Sequence, residues 1–599
     1  MSRKEQFLPV NRDEMRARGW TELDVIIVTG DAYVDHPSFG AALIGRLLER
    51  EGYRVGILAQ PDWRSAAAFR SLGAPRLFWG ITSGAVDSRL NAYTSLRNLR
   101  DRDLYSPGGQ KGLRPDRPLL VYSARAREAF KDVPIVLGGL EASLRRLAHY
   151  DYVEDALKRS VLIDAKADLL VHGMGERQIL EIARRLNAGE NVRDLTNIPG
   201  TACRLKKEMR GPADPVRLPG LEEQKKDSAL VMDAHLAYAR EAHPAGRPVI
   251  QENDPGALVV MPPAEPLSER ELDAVYALPF TRRAHPMCDK RGGVPALDPV
   301  QFSIATHRGC MGGCSFCSLY FHQGKRICPR SRASILAEAE SFRAHPDFRG
   351  TIPDLGAPTA NMYGMSCKNA ANCARPSCIW PQICPNLNAD YSALMALMED
   401  MLRLKGIRTF VASGVRHDLA LENPDYIRLL VSRFTGGHLK VAPEHKSNRV
   451  LAHMRKSSFE KFLEFESLFE RESRRAGKEQ YLVPYFVSGH PGCTEADALE
   501  LTEFLAGRNW QVRQAQDFTP IPLTYSTAMY VSERDTSGKK IFVPKGHRAK
   551  TLQMRLLRFH EKESRGAVRQ ALREKGKEGL LKGKGIRGGR KRRGPSHVP

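Results

Sequence analysis

The sequence predicts an α/β protein made of two parallel-stranded units: a doubly wound sheet at the amino end, then a partial barrel of six βα units. Three observations carry this expectation. Short β-rich runs alternate with helical stretches, the runs end in glycine or other turn residues, and 599 residues exceed what a single hydrophobic core organises.

Over residues 1–200, the runs DVIIVTG, RVGILAQ, PRLFWG, PIVLGG and DLLVHG supply five strands. Between the first two, FGAALIGRLLEREG sets Leu43, Leu47 and Leu48 on one face of a helix that Gly52 stops. Doubly wound sheets take ligands at the carboxyl ends of their strands, where this chain carries DAYVDHPSFG and GGLEAS. Residues 201–295 hold GPADPVRLPG, HPAGRPVIQENDPG and VVMPPAEP and read as a Pro/Gly-rich connector.

Strand and helix alternation resumes over residues 296–565. VQFSIATH, GTIPDLG, IRTFVASG, HLKVAPE, YLVPYFVSG and VRQAQDFTP are the six strands, and a Cys-rich insert interrupts the second unit at residues 360–390. In parallel barrels the working residues lie at the carboxyl ends of strands. Residues 566–599 read as a basic, disordered tail, since the Gly-spaced run KGKGIRGGRKRRGPSHVP buries no core.

Composition narrows the function. The apolar runs are far shorter than the ~20 residues of a membrane-spanning helix. The amino terminus MSRKEQFLPVNRDEMRARGW lacks the apolar stretch of a secretory signal, so a soluble, cytoplasmic protein is expected. The net charge of +23 invites an RNA partner, but ten Lys or Arg against two Glu from Arg573 onward account for +8 of it. That charge sits in the tail.

Eight of the eleven cysteines fall between Cys310 and Cys384. In a reducing compartment such clustering points to metal or catalysis rather than disulfides. After the first barrel strand, THRGCMGGCSFCSLYFHQGKR spaces Cys310, Cys314 and Cys317 as C-x3-C-x2-C. A cubane cluster normally takes four thiolates, so three leave one iron open. The competing reading is structural zinc with His307 or His322 as fourth ligand.

These motifs, with TGDAYVDHPSFG, LGGLEASLRRLAHYDY, LGAPTANMYG, VAPEH, FVSGHPG and QDFTPIPLTYSTAMY, resemble the radical S-adenosylmethionine superfamily, and within it the YgiQ-type family. The resemblance runs over most of residues 10–560 and names no substrate. It implies a flavodoxin-like, cobalamin-domain-like amino-terminal sheet before the barrel. It also implies a 4Fe-4S cluster on Cys310, Cys314 and Cys317, and S-adenosylmethionine bound at the open iron and cleaved to a 5′-deoxyadenosyl radical. An electron donor such as flavodoxin or ferredoxin follows from that chemistry. Phe316 takes the aromatic position near the adenine. Gly356, with Ala357 and Pro358, stands where the superfamily has Gly-Gly-Glu. Glu444 becomes a ribose or methionine contact, and Ser488 and Gly489 pack close to the cofactor. Cobalamin domains carry Asp-x-His-x-x-Gly, from which Asp35, His36 and Gly40 depart in spacing, so cobalt ligation is not expected; Gly138, Gly139 and Glu141 form a turn or line the cleft facing the barrel.

The insert adds Cys367, Cys373, Cys378 and Cys384, spaced C-x5-C-x4-C-x5-C. A second iron–sulfur cluster and a zinc site both remain open there. A different class of function also stays in view: an RNA- or partner-binding protein with structural metal sites, or radical-based modification of RNA or ribosomal protein.

Overall fold

The computed structural model describes residues 7–205, 212–254, 256–369, 373, 375–512, 514–574 and 576. Strands Val25–Thr29, Val55–Ala59, Phe78–Thr82, Ile135–Gly138 and Leu169–Val171 form a parallel sheet in the spatial order second, first, third, fourth, fifth. This is the flavodoxin-like doubly wound order, and all five strands lie where the apolar runs place them. Along the first strand Val25 and Ile27 enter one core while Ile26 and Val28 enter the other. A strand covered on both faces reads as a continuous apolar run, which is why it was legible.

The connector expected at 201–295 is corrected by the structure. Thr201–Leu205, Val216–Leu218, Val249–Glu252 and Ala257–Val260 extend the same sheet to nine strands, and all the added neighbouring pairs are antiparallel except 216–218 with 249–252. Helices Leu221–Lys226, Ala229–Glu241 and Glu269–Tyr276 pack among them. The prolines and glycines punctuate these short elements rather than replace them.

Six parallel strands build the partial barrel in chain order: Ile304–Ala305, then Thr351–Ile352 continued by Leu355–Gly356, then Arg408–Thr409, His438–Glu444, Tyr481–Ser488 and Gln514–Asp517. A parallel bridge between Val415 and Val441 joins the third strand's continuation to the fourth. The helices expected between strands are present, as Arg332–Ser341, Ser392–Arg403 and Glu495–Gly507.

Two features tie the units together. Helix Tyr525–Ser532, after the last barrel strand, puts Tyr525, Ala528 and Met529 into the core of the amino-terminal sheet beside Met232 and Tyr238. The buried ion pair between Arg308 and Glu176, 2.5 Å, joins the short strand His307–Arg308, which follows the first barrel strand, to the start of helix Glu176–Asn187, which follows the last of the five parallel strands. The disordered tail expected from residue 566 also needs correction. Residues Arg565–Glu574 are helical and bury Val568, Ala571 and Leu572 in the barrel core, so apolar spacing prevails over charge there. Residues 577–599 lie outside the described residues.

Candidate metal centre and cofactor site

The cysteine loop is a closed hairpin. His307–Arg308 pairs antiparallel with Cys328–Pro329, and the loop between carries the three cysteines and helix Leu319–Gln323. Two glycines make the path possible. Gly309, at φ +86°, would place a Cβ 2.0 Å from the Arg326 carbonyl oxygen, and Gly313, at φ +60°, would place one 2.0 Å from that of Pro376. The loop is anchored from beyond the barrel as well: Ser315 N donates to Met454 O at 3.0 Å, and Ser526 N donates to Ser315 O at 2.9 Å.

Cys310 and Cys314 converge on Gly312, where an added Cβ would lie 3.3 Å from the sulfur of Cys310 and 3.7 Å from that of Cys314. The Gly312 amide donates to Cys310 Sγ at 3.5 Å, and Thr359 Oγ1 lies 3.4 Å from the same sulfur. Arg416 Nη1 donates to Cys314 Sγ at 3.3 Å. Burial raises the Cys310 thiol and pushes Cys317 up to about 12, with Cys314 and Cys310 adding to the effect on Cys317. Burial disfavours the thiolates of Cys310 and Cys317, and a cation beside them would favour them. Hydrogen-bond donors at two sulfurs fit an iron–sulfur cluster, whose sulfurs accept such bonds. Of the two histidines of the zinc reading, His322 Nδ1 meets Ser143 Oγ at 3.1 Å and His307 Nδ1 meets Thr306 Oγ1 at 2.9 Å, while the buried Nε2 of His307 makes no hydrogen bond, so that reading stays open at His307.

The other expected contacts lie at the barrel's carboxyl rim. Phe316 sits edge-on to His490, ring centroids 6.3 Å apart. Glu444 ends the fourth strand at φ +67°, buried, with Lys456 Nζ 3.5 Å from Oε1; Glu444 also acts electrostatically on Cys317. A non-glycine residue held in the left-handed region at such a place is the sort of strain that functional sites retain. Gly356 uses its carbonyl in the strand pair with Thr306, and a Cβ on it would lie 2.3 Å from both Asp354 Oδ2 and Ser413 Oγ. Ser488 donates to Asp517, and the Gly489 amide donates to Gln553 Oε1 at 3.0 Å.

Sequence reasoning missed Thr359, Arg416, Asp418 and Lys456. Arg416 and Asp418 follow the third strand, and their Arg-x-Asp spacing after an apolar run was the available signal. Asp418 Oδ1 accepts from Arg416 Nε at 2.9 Å; burial opposes its ionisation, yet Arg416 holds the carboxyl well below the usual range.

Between the sheet and the barrel lies a 530 Å³ cavity, lined by Gly138, Gly139 and Gly173 from one side and by His307, Gly356 and Ser413 from the other. It joins the carboxyl ends of both sets of strands. Glu141 is turned away from it, its Oε2 accepting from Ser88 N at 2.7 Å. His36 is committed to structure: Nδ1 accepts from Ser38 N at 3.0 Å and Nε2 lies 3.0 Å from Arg282 Nη1, so burial and that guanidinium keep the ring neutral. Asp35 is paired with Arg46 at 2.7 Å.

A loop of three cysteines after the first strand of a six-strand parallel barrel, preceded by a flavodoxin-like sheet, is the arrangement of a radical S-adenosylmethionine protein. Comparison with known proteins agrees. A family model described as radical SAM N-terminal matches residues 7–303, and a domain of unknown function, DUF3362, matches residues 513–587. A UPF0313 protein of Geobacter sulfurreducens is 49% identical over 96% of this chain and 96% of its own length. One from Rhodopseudomonas palustris is 45% identical over 96% of this chain and 90% of its own. The chain therefore belongs to the UPF0313 family, in agreement with the YgiQ-type resemblance of its motifs. Among solved structures, the radical S-adenosylmethionine methyltransferase TsrM from Kitasatospora setae, with cobalamin and a [4Fe-4S] cluster bound, aligns over 92% of this chain and 89% of its own, at a TM-score of 0.51 and 14% identity. That likeness is one of fold.

Proposed function

We propose that this chain holds a 4Fe-4S cluster on Cys310, Cys314 and Cys317, and cleaves S-adenosylmethionine reductively to act on a substrate bound in the cavity between its two units. The observation that carries the reading is the convergence of Cys310 and Cys314 on Gly312, with Thr359 and Arg416 against their sulfurs. A cluster held there by Cys310, Cys314 and Cys317 would supply one-electron reduction of the S-adenosylmethionine sulfonium, the electron coming from a flavodoxin- or ferredoxin-like donor and the products being methionine and a 5′-deoxyadenosyl radical.

The chain's own residues do the rest. Cys310, Cys314 and Cys317 supply three ligands and no fourth. Arg416 offsets the negative charge of the thiolates. Glu444, oriented by Lys456, presents a carboxylate for the ribose hydroxyls or the methionine amino group, in place of the carboxylate that Gly356, Ala357 and Pro358 do not offer. Phe316, Ser488 and Gly489 close the adenine side, and the glycine-lined cavity lets substrate approach closely while apolar walls keep water out. His36 supplies no cobalt ligand, so any corrinoid in the cavity would bind without it. RNA contact through residues 577–599 is not needed for this reading.

Anaerobic reconstitution, followed by measurement of 5′-deoxyadenosine with dithionite as reductant, tests the proposal. Product from the wild-type protein and none from a folded Cys314→Ala variant supports it. Zinc in place of iron at the triplet overturns it.

A further inference from the structure

The Cys-rich insert is built onto the cluster loop. Strands Ser366–Cys367 and Leu387–Asn388 pair antiparallel and close its neck, which puts Cys367 opposite Leu387, three residues beyond Cys384. Inside, the Cys384 amide donates to the Cys378 carbonyl at 2.8 Å. The Cys378 amide donates to Met311 O at 3.0 Å and Ser377 Oγ donates to Gly312 O at 2.7 Å, so the insert's centre is bonded to the backbone between Cys310 and Cys314.

The four insert thiols share one neighbourhood. Cys378 is buried, and its charged neighbours are Lys325, Cys367, Cys373 and Cys384. Lys325 reaches in from the cluster hairpin, its ammonium donating to the carbonyls of Cys373, at 2.5 Å, and Arg375, at 2.9 Å. All eleven cysteines of the chain are free thiols. Little regular structure holds this segment: apart from the two-residue strand pair, the described residues between 368 and 386 form turns and bends.

We infer that Cys367, Cys373, Cys378 and Cys384 ligate a second 4Fe-4S cluster, packed directly against the loop of the first. The inference stands on the insert's own geometry and does not depend on the S-adenosylmethionine chemistry proposed above. Four thiolates satisfy all four irons, so this cluster has no open position for a cofactor. Zinc fits less well. It gathers its sulfurs to about 3.8 Å of one another, given Zn–S bonds of about 2.3 Å, and commonly draws them from pairs two to four residues apart. Here the spacers are five, four and five residues. A cubane binds each thiolate to a different iron, which suits the wider set. Lys325 balances part of the added negative charge.

The experiment compares iron and acid-labile sulfide per chain, with electron paramagnetic resonance, in three anaerobically reconstituted full-length proteins. Wild type is expected to hold about eight irons, and the variant Cys310→Ala/Cys314→Ala/Cys317→Ala about four, one cubane each. The signal left in that variant should not respond to S-adenosylmethionine. Cys367→Ser/Cys378→Ser, its fold checked by circular dichroism, should keep about four irons and the responsive signal. A triplet variant left with no iron, or with one zinc, overturns the inference whatever the fate of the first cluster. Loss of the responsive signal tests the triplet alone, so the two readings fail separately.

Discussion

Arg416 spans two partners: its Nη1 donates to the sulfur of Cys314 at 3.3 Å and its Nε to Asp418 Oδ1 at 2.9 Å. Both charged residues are buried, and the peptide of Arg416 is fixed in turn by Asn361, whose Oδ1 accepts from the Arg416 amide at 2.9 Å. Replacing Arg416 by Met leaves a buried carboxylate unpaired, and such a loss costs about 3–5 kcal/mol. The double variant Arg416→Met/Asp418→Leu should recover most of that in thermal unfolding. With iron retained, it should show a lower cluster midpoint potential and slower 5′-deoxyadenosine formation, because the positive charge at the sulfur is gone.

Gly313 is as tightly enclosed as Gly309, the other left-handed glycine of the cluster hairpin. Gly313→Ala meets both a left-handed backbone and the Pro376 carbonyl, so a destabilisation of more than about 1 kcal/mol is expected. Limited proteolysis should show the hairpin and the insert loosening together, since each is the other's wall.

Gly138 has the opposite character. Its backbone is extended, at φ −156°, and an added Cβ would meet nothing within 4 Å. Gly138→Leu should therefore fold normally and fill part of the 530 Å³ cavity. Uncoupled 5′-deoxyadenosine formation should stay within about twofold of wild type, a change of under 1 kcal/mol in the barrier. Complementation of a deletion strain should fail, because substrate no longer fits.

Asp31 gives a pH signature. Burial raises its carboxyl from the ordinary 3.8 to about 6, against the pull of Arg114. A carboxyl raised in the folded state binds more protons there than in the unfolded chain, so its contribution is fully present below pH 3.8 and is lost as pH rises through about 6. Asp31→Asn should flatten the fall in stability between those values in denaturant titrations at stepped pH.

The carboxyl-terminal helix divides two truncations. The chain ended after residue 576 serves as the reference. Ending it after residue 564 exposes the surface that Val568 and Leu572 cover, and each such side chain contributes about 1.5–3 kcal/mol when fully buried. Differential scanning calorimetry separates the two.

Much of this was legible in sequence. The parallel strands were, because VIIVT or VGILA, covered on both faces, leaves an uninterrupted apolar run. The hairpin that carries Cys310, Cys314 and Cys317 was, because the three lie within one short loop. The antiparallel extension was hidden: VRL and VIQE are short and half polar, and they join the sheet only through Ala257–Val260, which pairs with Thr201–Leu205, which in turn pairs with Leu169–Val171. Thr359, Arg416 and Lys456 were hidden because they lie on different rim loops: the barrel alone brings Thr359 and Arg416 to the sulfurs and Lys456 to Glu444. In RGAVRQALRE, the apolar spacing of Val568, Ala571 and Leu572 was readable and was masked by charge.

Helix Tyr525–Ser532 has a wider consequence. Because Tyr525, Ala528 and Met529 complete the core of a sheet some 250 residues earlier in the chain, the halves are dovetailed rather than hinged. A swing of one against the other would pull these side chains into water. A rigid seam of this kind holds the two walls of the cavity at a fixed distance from one another.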